Sequence, residues 1–307
     1  MKQSTNSVFL IRPVSFNYNA ETALSNSFQN KTELSPSEVV QKAIEEFDAL
    51  SEKLKSRGVD VNVFEDTAEP IKPDAIFPNN WISLHDNGVI VLYPMLAPNR
   101  RLERRTDIIE SLKKKFSVTN VIDLSEYENE NRFLEGTGSV VFDHQNKIAY
   151  ACLSPRTDQG VLIDLCKRLN YKPAYFYSHD REGKEIYHTN VMMCVGDRFV
   201  VICLESISDL EERKSIIESL KKTNHEIIDI SFNQMNHFAG NMLMLKTKDN
   251  NSILAMSKSA FDGLTNDQRK QLEKHSELFP LSIPTIETIG GGSARCMIAE
   301  IFLSPLN

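Results

Sequence analysis

No stretch of this 307-residue chain approaches the roughly 20 consecutive apolar residues of a bilayer-spanning helix, which argues against membrane insertion. The first residues, MKQSTNSVFLIRPV, hold only the short apolar run Val8 to Ile11 before Arg12 and no small-residue cleavage site. They lack the pattern of a secretory signal, so a cytoplasmic protein is expected. Cysteine is scarce: five residues (152, 166, 194, 203, 296), odd in number and without C-x-x-C spacing, argue against a disulfide framework and a zinc site. No metal and no cofactor is expected. Basic residues do not dominate, since 35 Lys and Arg stand against 42 Asp and Glu for a formal charge of -7. With no aromatic-studded basic patch, the footprint of a nucleic-acid binder is missing. No apolar stripe stands out from the core pattern, which leaves oligomeric state illegible and a homo-oligomer open.

Short hairpin signals are what the chain has in number. His85-Asp86-Asn87-Gly88, Asp143-His144-Gln145-Asn146, Gly196-Asp197-Arg198 and Lys248-Asp249-Asn250-Asn251 each separate two apolar or alternating runs, at starting points 58, 53 and 52 residues apart. Where the pattern is clearest, strand 191–195 turns into strand 199–204, then helix 208–222, then strand 226–230. An opening unit, with strand 8–14, helix 36–57 and strand 59–64, lacks one hairpin strand, which the terminal strand 297–303 can supply. Ser35, Pro36 and Glu38 start its helix and Gly58 stops it. Five units of about 50 residues, closed by the last strand, form a radial α/β arrangement in a single domain over residues 1–307. An open mixed α/β sheet with chance spacing is the alternative.

Three units carry residues suited to chemistry at matching places. Cys296 follows Gly290-Gly291-Gly292 and precedes an apolar run, an arrangement that suits a nucleophile held by a strand and equally a small buried thiol. His188 in Tyr187-His188-Thr189-Asn190 lies just ahead of a strand, where it can serve as acid and base or as a structural edge residue. Glu135, before Gly136 and Gly138, can orient that imidazole or simply shape a turn.

Taken with the words around them, these residues resemble the guanidino-group-modifying enzymes of the pentein superfamily: arginine deiminases, dimethylarginine hydrolases, amidinotransferases and succinylarginine dihydrolase. The resemblance rests on Phe77-Pro78-Asn79-Asn80, Pro94-Met95 with Arg100, Leu134-Glu135-Gly136, Pro155-Arg156-Thr157, His188-Thr189-Asn190, Gly240-Asn241 and Arg295-Cys296-Met297, in that order. It implies a five-bladed α/β propeller of ββαβ repeats with the active site at its centre. It also implies Cys296 as nucleophile, His188 as general acid and base, Glu135 as its carboxylate partner, and a substrate carboxylate gripped by Arg100, Arg156 and Arg295. It further implies that Asn241 falls in a loop that touches substrate.

Departures from the family pattern point to the substrate. Aspartates of the family's guanidinium hydrolases are replaced by Asn80, Asn190 and Gly138. An asparagine pair offers donors and acceptors together, which suits a neutral ureido group better than a guanidinium. The words Phe77 to Trp81 and His188 to Asn190 resemble those of the subgroup assigned to citrulline utilisation. The expectation is a cofactor-independent hydrolase taking citrulline to ornithine, carbon dioxide and ammonia through a covalent thiocarbonyl intermediate. Asn80 and Asn190 would hold the ureido group, while a His188 imidazolium and Arg295 would activate the thiol, whose free pKa is about 8.5. A guanidine hydrolase using Asp74, an amidinotransferase, and a catalytically silent amino-acid-binding relative are the alternatives.

Overall fold

Ser35 caps the long helix Pro36–Ser56: its side chain accepts from Glu38 N, the Glu38 carboxylate accepts from Ser35 N, and proline opens the first turn. Val39, Ala43, Phe47, Leu50 and Leu54 recur at helical spacing and are buried. They join Val8, Leu10 and Val59 in one core cluster, each such side chain contributing roughly 2 kcal/mol. This helix connects strands Ser7–Arg12 and Asp60–Glu65, which pair in parallel. In the computed structural model, residues 2–306 are described; Met1 and Asn307, the ends of the expected single domain, lie outside them.

Four more units repeat this connection behind a hairpin. Strands Ile82–Leu84 and Val89–Leu92, Val141–Asp143 and Ile148–Leu153, Met193–Val195 and Phe199–Ile202, and Leu243–Lys246 and Ser252–Ser257 are antiparallel pairs. The turns between them fall at the four predicted positions. Each second strand continues through a helix to a parallel third strand, namely Asn120–Asp123, Lys172–Tyr177, Glu226–Asp229 and Glu277–Leu281. The first unit obtains its missing strand from the chain's other end, because Ala299–Glu300 pairs antiparallel with Ser7–Arg12 in the register Val8↔Glu300. Among the described residues five three-stranded sheets result, closed as a pseudo-fivefold α/β propeller. Their innermost strands stand side by side about the axis: 141–143 against 193–195, 193–195 against 243–246, and 299–300 against 82–84.

Two inner strands are shorter than the sequence predicts: in place of strands from 191 and 297, the chain makes a helical turn at Thr189–Met192 and a turn at 294–297 before the strands begin, and a helical turn at Gly136–Ser139 likewise precedes Val141–Asp143. A 3₁₀ turn at Pro78–Asn80 is the equivalent in the second unit. These segments are buried throughout, and a continuous apolar run does not distinguish a strand from a buried turn. Among the described residues no helix is long and apolar enough to cross a membrane.

Candidate active site

The turns ahead of the inner strands carry Asn80, Glu135, His188, Asn190, Asn241 and Cys296 to one end of the propeller axis. The Gly136–Ser139 turn is tied down by Ser139, whose hydroxyl accepts from Glu135 N at 2.9 Å and donates to Arg156 O at 2.8 Å. The next turn is fastened to it through Thr189 Oγ1, which donates to Ser139 O at 2.6 Å. A Cβ at Gly138 would lie 2.4 Å from Asn80 Nδ2 and 2.7 Å from His188 Nδ1. Glycine there is what lets Asn80 and His188 approach each other, and an aspartate would displace both.

His188 Nε2 lies 2.9 Å from Glu135 Oε2. Burial pushes the imidazole down to about 4 although Glu135 opposes the shift, so at neutral pH the ring is uncharged. Burial alone would raise the Glu135 carboxyl, but Arg156 and His188 outweigh it and hold it well below the usual carboxylate range. A carboxylate only accepts, so His188 donates from Nε2 and leaves Nδ1, over Gly138, as the basic nitrogen. This differs from the expected imidazolium: the ring lies too deep to hold a charge, and Arg156 already supplies Glu135 with a cation, its Nη1 lying 3.3 Å from Oε2.

Cys296 Sγ accepts from Asn190 Nδ2 at 3.4 Å and from Asn241 Nδ2 at 3.3 Å. The thiols of Cys152, Cys166, Cys194 and Cys203 are pushed up to about 12 by burial, which leaves them protonated in the core.

A small cavity of about 20 Å³ lies against Cys296 and His188, with Asn80, Asp74, Arg100 and Arg156 on its walls. Both arginines are engaged. Arg100 bonds Glu103 through Nε and Nη2, at 2.8 Å each, and donates from Nη1 to Asn80 Oδ1 at 2.7 Å. Arg156 donates to Glu135, to Ser25 Oγ at 2.6 Å and to Thr22 O at 3.0 Å, and stacks on Tyr187. Arg295 is not on this cavity. Its guanidinium donates to Ile298 O at 3.0 Å and pairs with Glu300 at 2.9 Å, lining a separate space with Gln3 and His144. Adjacent side chains on the tight turn 294–297 diverge, and Cys296 is the one that faces the cavity. Arg295, expected to grip a substrate carboxylate, therefore does not line this cavity.

The segment from Asn19 to Gln29 covers the cavity. Asn26 Nδ2 donates to Gly290 O and Gly291 O at 3.3 Å, and Gln29 Nε2 donates to Gly290 O at 3.1 Å. Gly291 sits at φ +62° with Asn26 where a Cβ would be, so only glycine lets the cover close. Beneath it Cys296 is 5% exposed, His188 2% and Glu135 0%. Asp74 is buried as well; its Oδ2 accepts from Asn19 and Thr22, while Oδ1 has no partner among the described residues. Sequence reasoning named Asp74 only as a stand-in for lost aspartates and missed the covering segment and Tyr187. Tyr187, next to His188, was within reach of the motif reading; the polar cover carries no comparable signal.

The model of the family described as N,N dimethylarginine dimethylhydrolase, eukaryotic, matches residues 12–303. The chain belongs to the N,N-dimethylarginine dimethylhydrolase family. It thereby stands among the guanidino-group-modifying hydrolases of the pentein superfamily, which act on C–N bonds. Solved structures agree on the fold. The N-terminal domain of ArgZ, an arginine dihydrolase from the ornithine-ammonia cycle in cyanobacteria, superposes with a TM-score of 0.74 at 16% identity, covering 97% of this chain and 99% of that domain. Against a longer ArgZ chain the coverage is 98% of this chain but 41% of that one. A dimethylarginine dimethylaminohydrolase bound to S-methyl-L-thiocitrulline gives a TM-score of 0.64 at 14% identity, covering 96% and 98%. No curated protein sequence matches the chain.

Proposed function

We propose that this chain works as one catalytic unit in the cytoplasm, a cysteine-dependent hydrolase that converts citrulline to ornithine, carbon dioxide and ammonia. The observation that carries this reading is the orientation of Asn80. Arg100 can only donate, so its bond to Asn80 Oδ1 turns Asn80 Nδ2 toward His188, where it has no partner among the described residues. A ureido oxygen can accept from that N–H; a guanidinium, all donors, cannot. Asn190, expected to hold the ureido group with Asn80, lines the space it shares with Arg295 and is not on the cavity at Cys296 and His188.

In this reading the Cys296 S–H proton passes to His188 Nδ1 as Sγ bonds the ureido carbon, and Asn80 steadies the oxyanion. His188 returns the proton to the terminal nitrogen; the C–N bond breaks and ammonia leaves. Water then adds to the S-carbamoyl carbon, giving a proton to His188. The S–C bond breaks, sulfur recovers that proton, and the released carbamic acid divides into ornithine and carbon dioxide. Glu135 keeps the imidazole in the productive tautomer. Asp74 Oδ1 suits the α-ammonium, and the spare Nη1 hydrogens of Arg100 and Arg156 suit the α-carboxylate.

Arginine is the second reading. It is favoured by Asp74, whose unpartnered oxygen would also serve a guanidinium, and by the family match. Product analysis by mass spectrometry separates the two, with Cys296→Ala as control. Ornithine from citrulline, absent in the variant, supports the ureide reading; citrulline or ornithine from arginine with citrulline itself inert would overturn it.

A further inference from the structure

We propose that Asn241 is a catalytic residue that holds one amide N–H on Cys296 Sγ as a fixed hydrogen-bond donor to the thiolate. The inference rests on Cys296 being the nucleophile and changes the role expected of Asn241, which was contact with substrate. Its carboxamide has only one workable orientation. Oδ1 accepts from Arg295 N at 3.0 Å, a bond only oxygen can make, and Nδ2 donates to Asn190 O at 2.9 Å, a bond only nitrogen can make. The second Nδ2 hydrogen is left for Sγ at 3.3 Å.

Asn241 also cannot retreat. It is 1% exposed, and a Cβ on the preceding Gly240 would lie 2.4 Å from Val191 O, so its loop is pressed against the turn that carries Asn190. Asn190 donates to the same sulfur, but its Oδ1 has no partner among the described residues and nothing fixes which end of that amide faces Sγ. Other sources of stabilisation are spent. His188 is uncharged, Arg295 is paired with Glu300, and Arg156 and Arg100 are paired with Glu135 and Glu103. A preorganised amide donor lowers the cost of the anion in such an enclosed site without any cation.

Alkylation by iodoacetamide, in which an S–C bond forms and iodide leaves, reads the thiolate without substrate. Its rate at Cys296 is followed against pH by peptide mass mapping in the parent, Asn241→Ala and Asn241→Leu. The Leu variant keeps nearly the same shape and removes both donors without adding a charge, so it serves where the Ala variant fails to fold. The charged and titratable groups around the sulfur, His188, Tyr187, Asp74, Arg100, Arg156 and Arg295, are the same in all three proteins. The expected result is a rise of about one pH unit in the midpoint of the alkylation profile, a roughly tenfold loss of thiolate at a given pH. Folded variants with an unmoved midpoint and a raised KM for citrulline would make Asn241 a substrate contact and overturn the inference. Should Cys296 in the parent react no faster than the four core cysteines, the nucleophile reading itself fails and takes this inference with it.

Discussion

Arg100 Nη1 lies 2.7 Å from Asn80 Oδ1 and thereby decides which end of the Asn80 amide meets the substrate. Asn80→Asp keeps the shape and the Arg100 contact but exchanges the inward N–H donor for an acceptor. The expected outcome is a fall in kcat/KM for citrulline of at least about tenfold, with a gain for arginine, since one lost or added charge-assisted hydrogen bond is worth roughly 1.5–3 kcal/mol. Steady-state kinetics on both substrates check this; an unchanged ratio would remove Asn80 from substrate discrimination.

Glu135→Gln should cost about 10³- to 10⁴-fold in kcat, the scale seen when a triad carboxylate is made an amide. The reason is directional. Glu135 Oε1 accepts from Leu96 N at 3.0 Å, so the glutamine would keep its oxygen there and turn its NH2 toward His188 Nε2. His188 would then have to accept at Nε2 and carry its proton on Nδ1, the nitrogen needed as base. Steady-state rates at saturating substrate check the loss, and the ring's nitrogen NMR shifts would report the exchanged tautomer.

Much of this arrangement is legible in the chain because the same event happens five times. Each hairpin turn is polar and short, and each word that matters, from Asn80 to Cys296, falls just ahead of an inner strand. The closure of the ring follows from an opening unit one strand short. Side-chain direction was less accessible: Arg295 and Cys296 are neighbours, and only the turn at 294–297 decides that the cysteine faces the cavity and the arginine faces Glu300. The cover was illegible because Asn26 and Gln29 meet Gly290 and Gly291 across more than 260 residues of sequence. The charge state of His188 depends on depth, which no motif records.

Gly138→Ala tests whether space above that turn is required. The added Cβ would fall 2.4 Å from Asn80 Nδ2 and 2.8 Å from His188 Cε1, so both side chains must move by several tenths of an ångström. Overpacking of this kind costs typically 1–3 kcal/mol of stability. A misplaced base also costs about 10² in rate. A folded variant with a modestly lowered melting temperature and about a hundredfold lower kcat is expected; parent-like kcat would show that His188 and Asn80 tolerate separation.

The depth of His188 sets the response to acid. Unfolded, a histidine titrates near 6.5; folded, His188 titrates at about 4 because burial disfavours its charged form. Between those values the unfolded chain binds a proton that the folded chain does not, so stability rises with pH from about 4 to 6.5 and is flat above. The difference is roughly 3 kcal/mol from this one group. His85, pushed down to about 3 by burial, and His144, also pushed down by burial, add to it in the same direction. Glu135, held well below its usual range, begins to lose its contribution as the pH falls past about 4.3, at the acid end of that window, and goes on losing it below. Glu103 and Glu287, raised to about 7 by burial, act in the opposite direction over the same range, so the test is a difference: from pH 7 to 5 and 4 the urea unfolding midpoint should fall by one proton's worth less in His188→Gln than in the parent. The same neutral ring is the base in catalysis, so the acid limb of kcat/KM should have its midpoint near pH 4. A limb near 6.5 would mean that His188 is solvated in the working enzyme and that the cover over Cys296 opens before the base acts.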